Sequence, residues 1–228
     1  GKVTVLDAGG GMPRFTRLFG ERYPDHIDFH PHTTIRAVDP FRRTVSTDDG
    51  DVQFDHAMLL PPMRASAVVE QAGLLGQDPQ GKPTRWAGVD PLRLRAPQDE
   101  RVFLAGDLLD TVSPLFGHYP KTAHMATRLG VAAAQQIAAP SRVGGGASAT
   151  EPPLALPHSV CHVWLDADPF EQLRIETQYR LRGDGLITQA VSQHDNPQPR
   201  GEDLQWGLGL YADALGSKLL NVPPALVK

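Results

Sequence analysis

Two stretches of the chain carry residue types at spacings that could do chemistry. The first is RVFLAGDLLD, residues 101–110, where an apolar run from Val102 to Ala105 ends on Gly106 and one acid, Asp107. A run of this length fits a strand buried on both faces, and α/β sheets collect ligands at the carboxyl ends of their strands. Glycine lets backbone approach a ligand closely. The carboxylate can accept hydrogen bonds from a hydroxylated chain, such as the ribityl chain of a flavin. Downstream, Pro120 stands where a helix is expected to start. The unpaired N–H groups and dipole of that helix suit a partly anionic group. Two readings of the pair stay open: half of a ligand site, or a turn that Asp107 merely caps. Lys121 opposes the dipole and answers either a negative ligand group or solvent.

The second stretch lies in the tail. HSVCHVW contains Cys161, the chain's single cysteine, and LQWGLGLYADALG contains Trp206. Cys161 cannot close a disulfide within the chain; it is a buried structural thiol or one half of a pair whose other half lies elsewhere. HSVCH is no c-type haem attachment site, which needs two cysteines, and it offers too few ligands for zinc. Trp206 sits off the apolar stripe Leu204, Leu208, Tyr211, Leu215 and Leu219, so it is expected to face something other than the core, or solvent. Gly207 and Gly209 beside it leave room for a large flat partner.

The elements that must position these residues follow from periodicity. KVTVLD reads as a strand, and Phe15, Leu18 and Phe19 mark a helix after AGGGMP. Short strands follow to residue 60, with turns at Asp39-Pro40 and Asp49-Gly50 and an end at Pro61-Pro62. A short helix is expected over 65–71. Residues 74–100 read as loop-rich, with Trp86 and Val89 buried, before the strand 101–106. KTAHMATRLGVAAAQQIAA reads as a helix burying Met125, Leu129, Ala132 and Gln136. Gly130 within it implies a close neighbour. PSRVGGGASATEPP is a linker by composition. HSVCHVWLD is a strand, and the two runs flanking Arg182-Gly183-Asp184-Gly185 form a hairpin. Asp7 ends a strand before Gly9-Gly10-Gly11 and reads as structural, with no nicotinamide expected. His30 and His32 read as surface residues.

At 228 residues, 40% hydrophobic and 21% charged, the chain is of ordinary globular composition and long enough for two domains. A net charge of −4 points to neither nucleic acid nor an anionic membrane surface. No apolar run reaches membrane-spanning length, and no signal-peptide pattern opens the chain. Because the chain opens directly with strand-like residues, we expect it to be the C-terminal portion of a longer protein.

The segment RVFLAGDLLDTVSPLFGHYPKTAHMATRLGVAAAQQIA resembles the closing FAD-binding segment of the two-dinucleotide-domain flavoprotein disulfide reductases. Within them it is most similar to the flavoprotein subunit of flavocytochrome c sulfide dehydrogenase. KVTVLD, FHPH, DHAMLLPPMRA and Trp86-Ala87-Gly88-Val89-Asp90 resemble earlier parts of that family, while HSVCHVW and LQWGLGLYADALG resemble its small C-terminal domain. The resemblance implies an incomplete FAD/NAD(P)-binding Rossmann-like three-layer α/β fold followed by a small α+β domain. Its parts would be the remainder of an NAD-like domain (1–65), an FAD-domain segment (66–140), a linker (141–153) and a flavin-binding tail (154–228). It implies FAD as cofactor, bound by Gly106, Asp107, Tyr119, Pro120, Lys121, Trp86 and Trp206. It implies Cys161 as the catalytic thiol, helped by a lowered pKa and by charge from His158 or His162. It further implies oxidation of inorganic sulfide, a c-type cytochrome subunit as electron-accepting partner, no metal, and a periplasmic location. The family's N-terminal glycine-rich FAD motif, its FAD-tethering cysteine and its second redox cysteine are not in this chain. Two alternatives remain: another flavin disulfide or quinone reductase of the superfamily, and a truncated, non-catalytic interaction module.

Overall fold

The computed structural model describes residues 1–138, 154–196 and 201–218; the linker 141–153 and Leu219 of the tail stripe lie outside them. The chain divides into two compact units, Gly1–Pro61 with Trp164–Phe170, and Pro62–Val163 with Glu171–Lys228. The segments expected as separate domains at 66–140 and 154–228 thus fall, apart from Trp164–Phe170, in the second unit. The architecture is mixed α/β, with a partial Rossmann-like element in the first unit and an antiparallel sheet with a helix in the tail.

The first unit opens with β1 (Val3–Asp7), α1 (Pro13–Arg22) and β2 (Ile27–Pro31), with β1 and β2 parallel and Val3 opposite Ile27. Parallel neighbours need a crossover, and α1 supplies it with Pro13 in its first turn, where the missing N–H costs nothing. Asp7 is structural: its carboxylate accepts the Gly9 N–H at 2.7 Å. Gly11, at φ +70°, lies so close to Phe29 that a Cβ would come within 2.7 Å of the ring. Next come β3 (Ile35–Asp39), β4 (Thr44–Thr47) and β5 (Asp51–Gln53), antiparallel in that order. The β3–β4 turn closes because Asp39 Oδ1 accepts the N–H groups of Phe41 and Arg42, both at 2.9 Å. No strand continues to residue 60. The apolar DHAMLL is irregular, with Met58 and Leu60 nearly fully exposed, because no neighbouring strand takes up its backbone groups. Trp164–Phe170 adds a buried carboxylate, Asp166, which accepts from Tyr23 Oη at 2.7 Å and Arg22 Nη1 at 2.5 Å. These partners hold its pKa down at about 2.

In the second unit α2 (Ala67–Gln71) precedes two antiparallel pairs: β6 (Leu75–Gln77) with β7 (Pro83–Ala87), and β8 (Arg95–Ala96) with β9 (Asp99–Phe103). The stretch expected to be loop-rich therefore carries short strands, and its most buried points are Ala87, Leu94 and Ala96 rather than Trp86 and Val89. A 3-10 turn, Gly106–Leu108, follows β9. The helix α3 (Ala123–Ala138) buries Met125, Leu129 and Gln136 as expected, with Ala133 in place of Ala132, which is only half-buried. It starts later than Pro120, at the Thr122 cap, whose Oγ1 accepts the Met125 N–H at 3.2 Å. Among the described residues, nothing lies where a Cβ on Gly130 would stand, so the close neighbour expected there is not found among them.

The tail forms β10 (Ser159–Ala167), β11 (Phe170–Leu181) and β12 (Ile187–Asn196), in that order across one sheet, and α4 (Glu202–Lys218). β11 and β12 pair antiparallel from Gln172↔Asn196 to Leu181↔Ile187 around the expected hairpin. Gly185 provides the positive φ that its turn requires. The core joins this sheet to α3: Tyr119 stacks edge-on against Tyr179 with centroids 4.7 Å apart, and Ile187 is 2% exposed. Full burial of side chains of this size is worth about 1.5–3 kcal/mol each.

Candidate functional site

The expected two-faced strand before Gly106 is an edge pair. Among the described residues β9 pairs only with the two-residue β8, and Val102 and Phe103 are half-buried. The apolar run serves instead to bring Leu104 into the core, after which the chain turns sharply at Gly106. That residue has φ +83°, and a Cβ on it would stand 3.4 Å from the Ala126 Cβ, so the turn packs on the beginning of α3. Strand end and helix start do meet here.

The side chains around this corner have distinct fates. Asp107 is exposed, and among the described residues its carboxylate has no hydrogen-bond partner; the 3-10 turn has no side-chain cap. The turn-capping alternative is therefore not what holds it. Lys121 is spent on backbone. Its Nζ donates to the backbone carbonyls of Asp107 at 2.7 Å and Leu109 at 3.0 Å, and it sits 3.7 Å from the centre of the Trp86 ring. Burial pulls its ammonium pKa down, while Asp107 and Asp110 oppose that shift. Lys121 thus staples the turn to the loop before α3. Asp110 is tied down by Thr84 Oγ1 and by the Thr111 N–H at 2.8 Å. His118 meets Trp86 edge-on at 6.2 Å.

Tyr119, expected to contact a cofactor, is 4% exposed; its ring packs on Phe116 and Tyr179, and burial pushes its hydroxyl pKa far up. It is a core residue beneath Pro120. Cys161 is half-buried on β10, and burial pushes its thiol pKa up, opposite to the lowered value expected. His158 lends it no charge: its Nε2 contacts Glu176 at 2.9 Å. Because side chains alternate along a strand, Cys161 projects from the sheet face opposite His158 and His162.

Trp206 lies on that opposite side. Its ring is 5.7 Å from His162 and 6.2 Å from His124. His124 is two residues from Ala126, so on α3 it faces away from Gly106. Trp206 is thus separated from Gly106 by the helix and from Cys161 by the sheet. The apolar stripe it was contrasted with is exposed: Leu204 60%, Leu208 51% and Tyr211 64%. Among the described residues, nothing lies within contact of a Cβ placed on Gly207 or Gly209.

The residues present fit the polar side of a flavin in part. Gly106 and Asp107 offer a close-approach turn and an uncommitted acceptor, while one face of Trp86 is already taken by Lys121. Tyr119 and Trp206 do not join them. Missed in the sequence were His124 and Arg128. Their four-residue spacing beside the buried Met125–Leu129 pair is the signal that would have found them.

No protein-family model matches the chain, and no curated protein matches it. Among solved structures, it is similar to the reduced CoADR-RHD of Bacillus anthracis, with TM-score 0.48 and 13% identity over 94% of this chain and 42% of that one. A NAD-dependent persulfide reductase from A. fulgidus gives 0.47 and 11% identity over 97% and 46%. The covalent putidaredoxin reductase–putidaredoxin complex gives 0.46 and 13% identity over 92% and 52%. The chain spans about half the length of each of these three solved structures.

Proposed function

We propose that the chain is part of an FAD-dependent oxidoreductase of the flavin disulfide-reductase type, acting on sulfide or a related sulfur compound and delivering electrons to a c-type cytochrome partner. The observation that carries this reading is the Gly106–Asp107 turn. It is packed on the start of α3 and pinned by Lys121, and it ends on a carboxylate with no partner among the described residues. A bound flavin would supply a two-electron acceptor beside the sulfur substrate. The chain's own residues supply the grip. Asp107 accepts from ribityl hydroxyls, Gly106 allows the approach, and Lys121 keeps the turn in place while its charge offsets that of Asp107. Pro120 and Trp86 border the same corner. Cys161 is the chain's only cysteine, so any redox pair takes its second thiol from outside these 228 residues. The sulfide substrate, the cytochrome partner and a periplasmic location rest on the sequence resemblance. Among the described residues no helix is long and apolar enough to cross a membrane.

A second reading, a partner-binding module without catalysis, is favoured by the exposed apolar stripe of α4. One experiment separates the two. Protein from the complete reading frame that contains this chain is purified, and its visible absorption is followed as sulfide is added without oxygen. Flavin bands that bleach support the enzyme, with Asp107→Ala weakening FAD binding about tenfold or more while far-UV circular dichroism stays unchanged. Bleaching by a dithiol or a reduced nicotinamide but not by sulfide moves the assignment to another reductase of this type. A well-folded protein without flavin leaves the binding module.

A further inference from the structure

We propose that the pocket between α3, the β10–β11 face and α4 is an oxyanion-binding site for a ligand of the phosphate or sulfonate class. The inference stands without the flavin reading, because the pocket lies on the far side of α3 from Gly106.

His124 and Arg128, one turn apart on α3, wall one side. His158 and His162 project from the opposite wall, Arg174 joins them from β11, and Trp206 closes the end. The cavity measures about 410 Å3, within the range of small-molecule sites. No carboxylate is among its lining residues. The neighbouring Glu176 is already engaged by His158 at 2.9 Å and by Arg174 at 3.4 Å. Arg128 has no ion pair among the described residues.

Two polar atoms of the lining residues stay unpartnered. Trp206 Nε1 and His162 Nδ1 are both buried, and neither has a hydrogen-bond partner among the described residues. An indole N–H can only donate, and buried donors left unpaired are rare and costly. Arg128 on one wall, and Arg174 on the other where it is shared with Glu176, favour an anionic ligand, and planar guanidinium forks match tetrahedral oxyanions. Among the described residues no group of three or more His, Cys, Asp or Glu is placed to hold a metal, so the three imidazoles do not form a cation site.

The test is a titration of the full chain with inorganic phosphate and, separately, phenyl phosphate. Tryptophan fluorescence and the thermal midpoint are followed, with chloride adjusted to hold ionic strength constant. A saturable change that disappears from the fluorescence of Trp206→Phe is expected. The affinity should fall about tenfold or more in Arg128→Gln, an exposed position whose replacement leaves far-UV circular dichroism unchanged. Tighter binding of phenyl phosphate would identify an esterified ligand, and equal binding a free oxyanion; both support the site. No saturable response to either compound, a response that chloride reproduces, or unchanged affinity in both Arg128→Gln and Arg174→Gln would overturn it.

Discussion

The corner around Gly106 and the wall around Trp206 are held by different kinds of contact. At the corner one lysine engages two backbone carbonyls, and a positive-φ glycine sits against a helix, so position is dictated by main-chain geometry. At the wall, aromatic and basic side chains from α3, β10, β11 and α4 face a cavity, and two buried nitrogens lack partners among the described residues. The corner is thus complete as a piece of fold and uncommitted only at Asp107. The wall keeps Arg128 without an ion pair among the described residues, the group left for the ligand proposed above. A residue that must position backbone is satisfied within the chain; a residue that must meet a ligand is left with unspent hydrogen-bonding capacity.

The sharpest way to break this contrast is Tyr119→Ala. Tyr119 sits in the core against Tyr179, so its truncation should cost about 3–5 kcal/mol. Urea unfolding would show this as a lowered midpoint; a change in ligand affinity at unaltered stability would mean that Tyr119 belongs to the corner after all. Gly106→Ala comes next, at about 1–2 kcal/mol, because a Cβ is disfavoured at φ +83°. An unchanged midpoint would show that the turn relaxes. Lys121→Met, which keeps the stem over Trp86 and removes the donor, should cost about 1 kcal/mol through the two carbonyls it abandons. It should also weaken any ligand gripped by Asp107, whereas substitutions at the wall should leave that ligand alone.

The smallest effect concerns Cys161. Burial raises its thiol pKa, so the thiolate fraction near neutrality is lower than for a free cysteine. Alkylation by iodoacetamide should therefore be slower than that of a model thiol at the same pH, and its rate should keep rising at pH values where the model thiol has levelled off. Fast labelling at neutral pH would return Cys161 to the role of an activated thiol.

Local patterns in the chain were readable wherever the cause is local. The parallel β1–α1–β2 unit, the Asp39 turn, the Asp-Gly hairpin and the buried stripe of α3 all follow from neighbours a few residues apart. The meeting of Gly106–Asp107 with the start of the next helix was expected from the strand–turn–helix pattern, although the long loop 109–122 lies between the turn and α3. The tail resisted the same treatment. The apolar stripe of α4 has good helical periodicity and yet is exposed, while Trp206, off the stripe, is the residue that packs. Periodicity reports which residues share a face, not which face finds a neighbour. DHAMLL failed for a related reason: apolar content suggested a strand, but a strand needs another to pair with.

The sequence by itself determined that this chain is mixed α/β, where its turns fall, and that an acid follows a glycine at a bend beside a helix start, because those features depend on backbone preferences and short-range spacing. Only the tertiary structure decided that Lys121 is spent on carbonyls, that Tyr119 is core, and that Trp206 and Cys161 stand on opposite faces of one sheet. Those outcomes depend on the parity of strands and the rotation of helices against partners far away in the chain, and a single residue of register would reverse them.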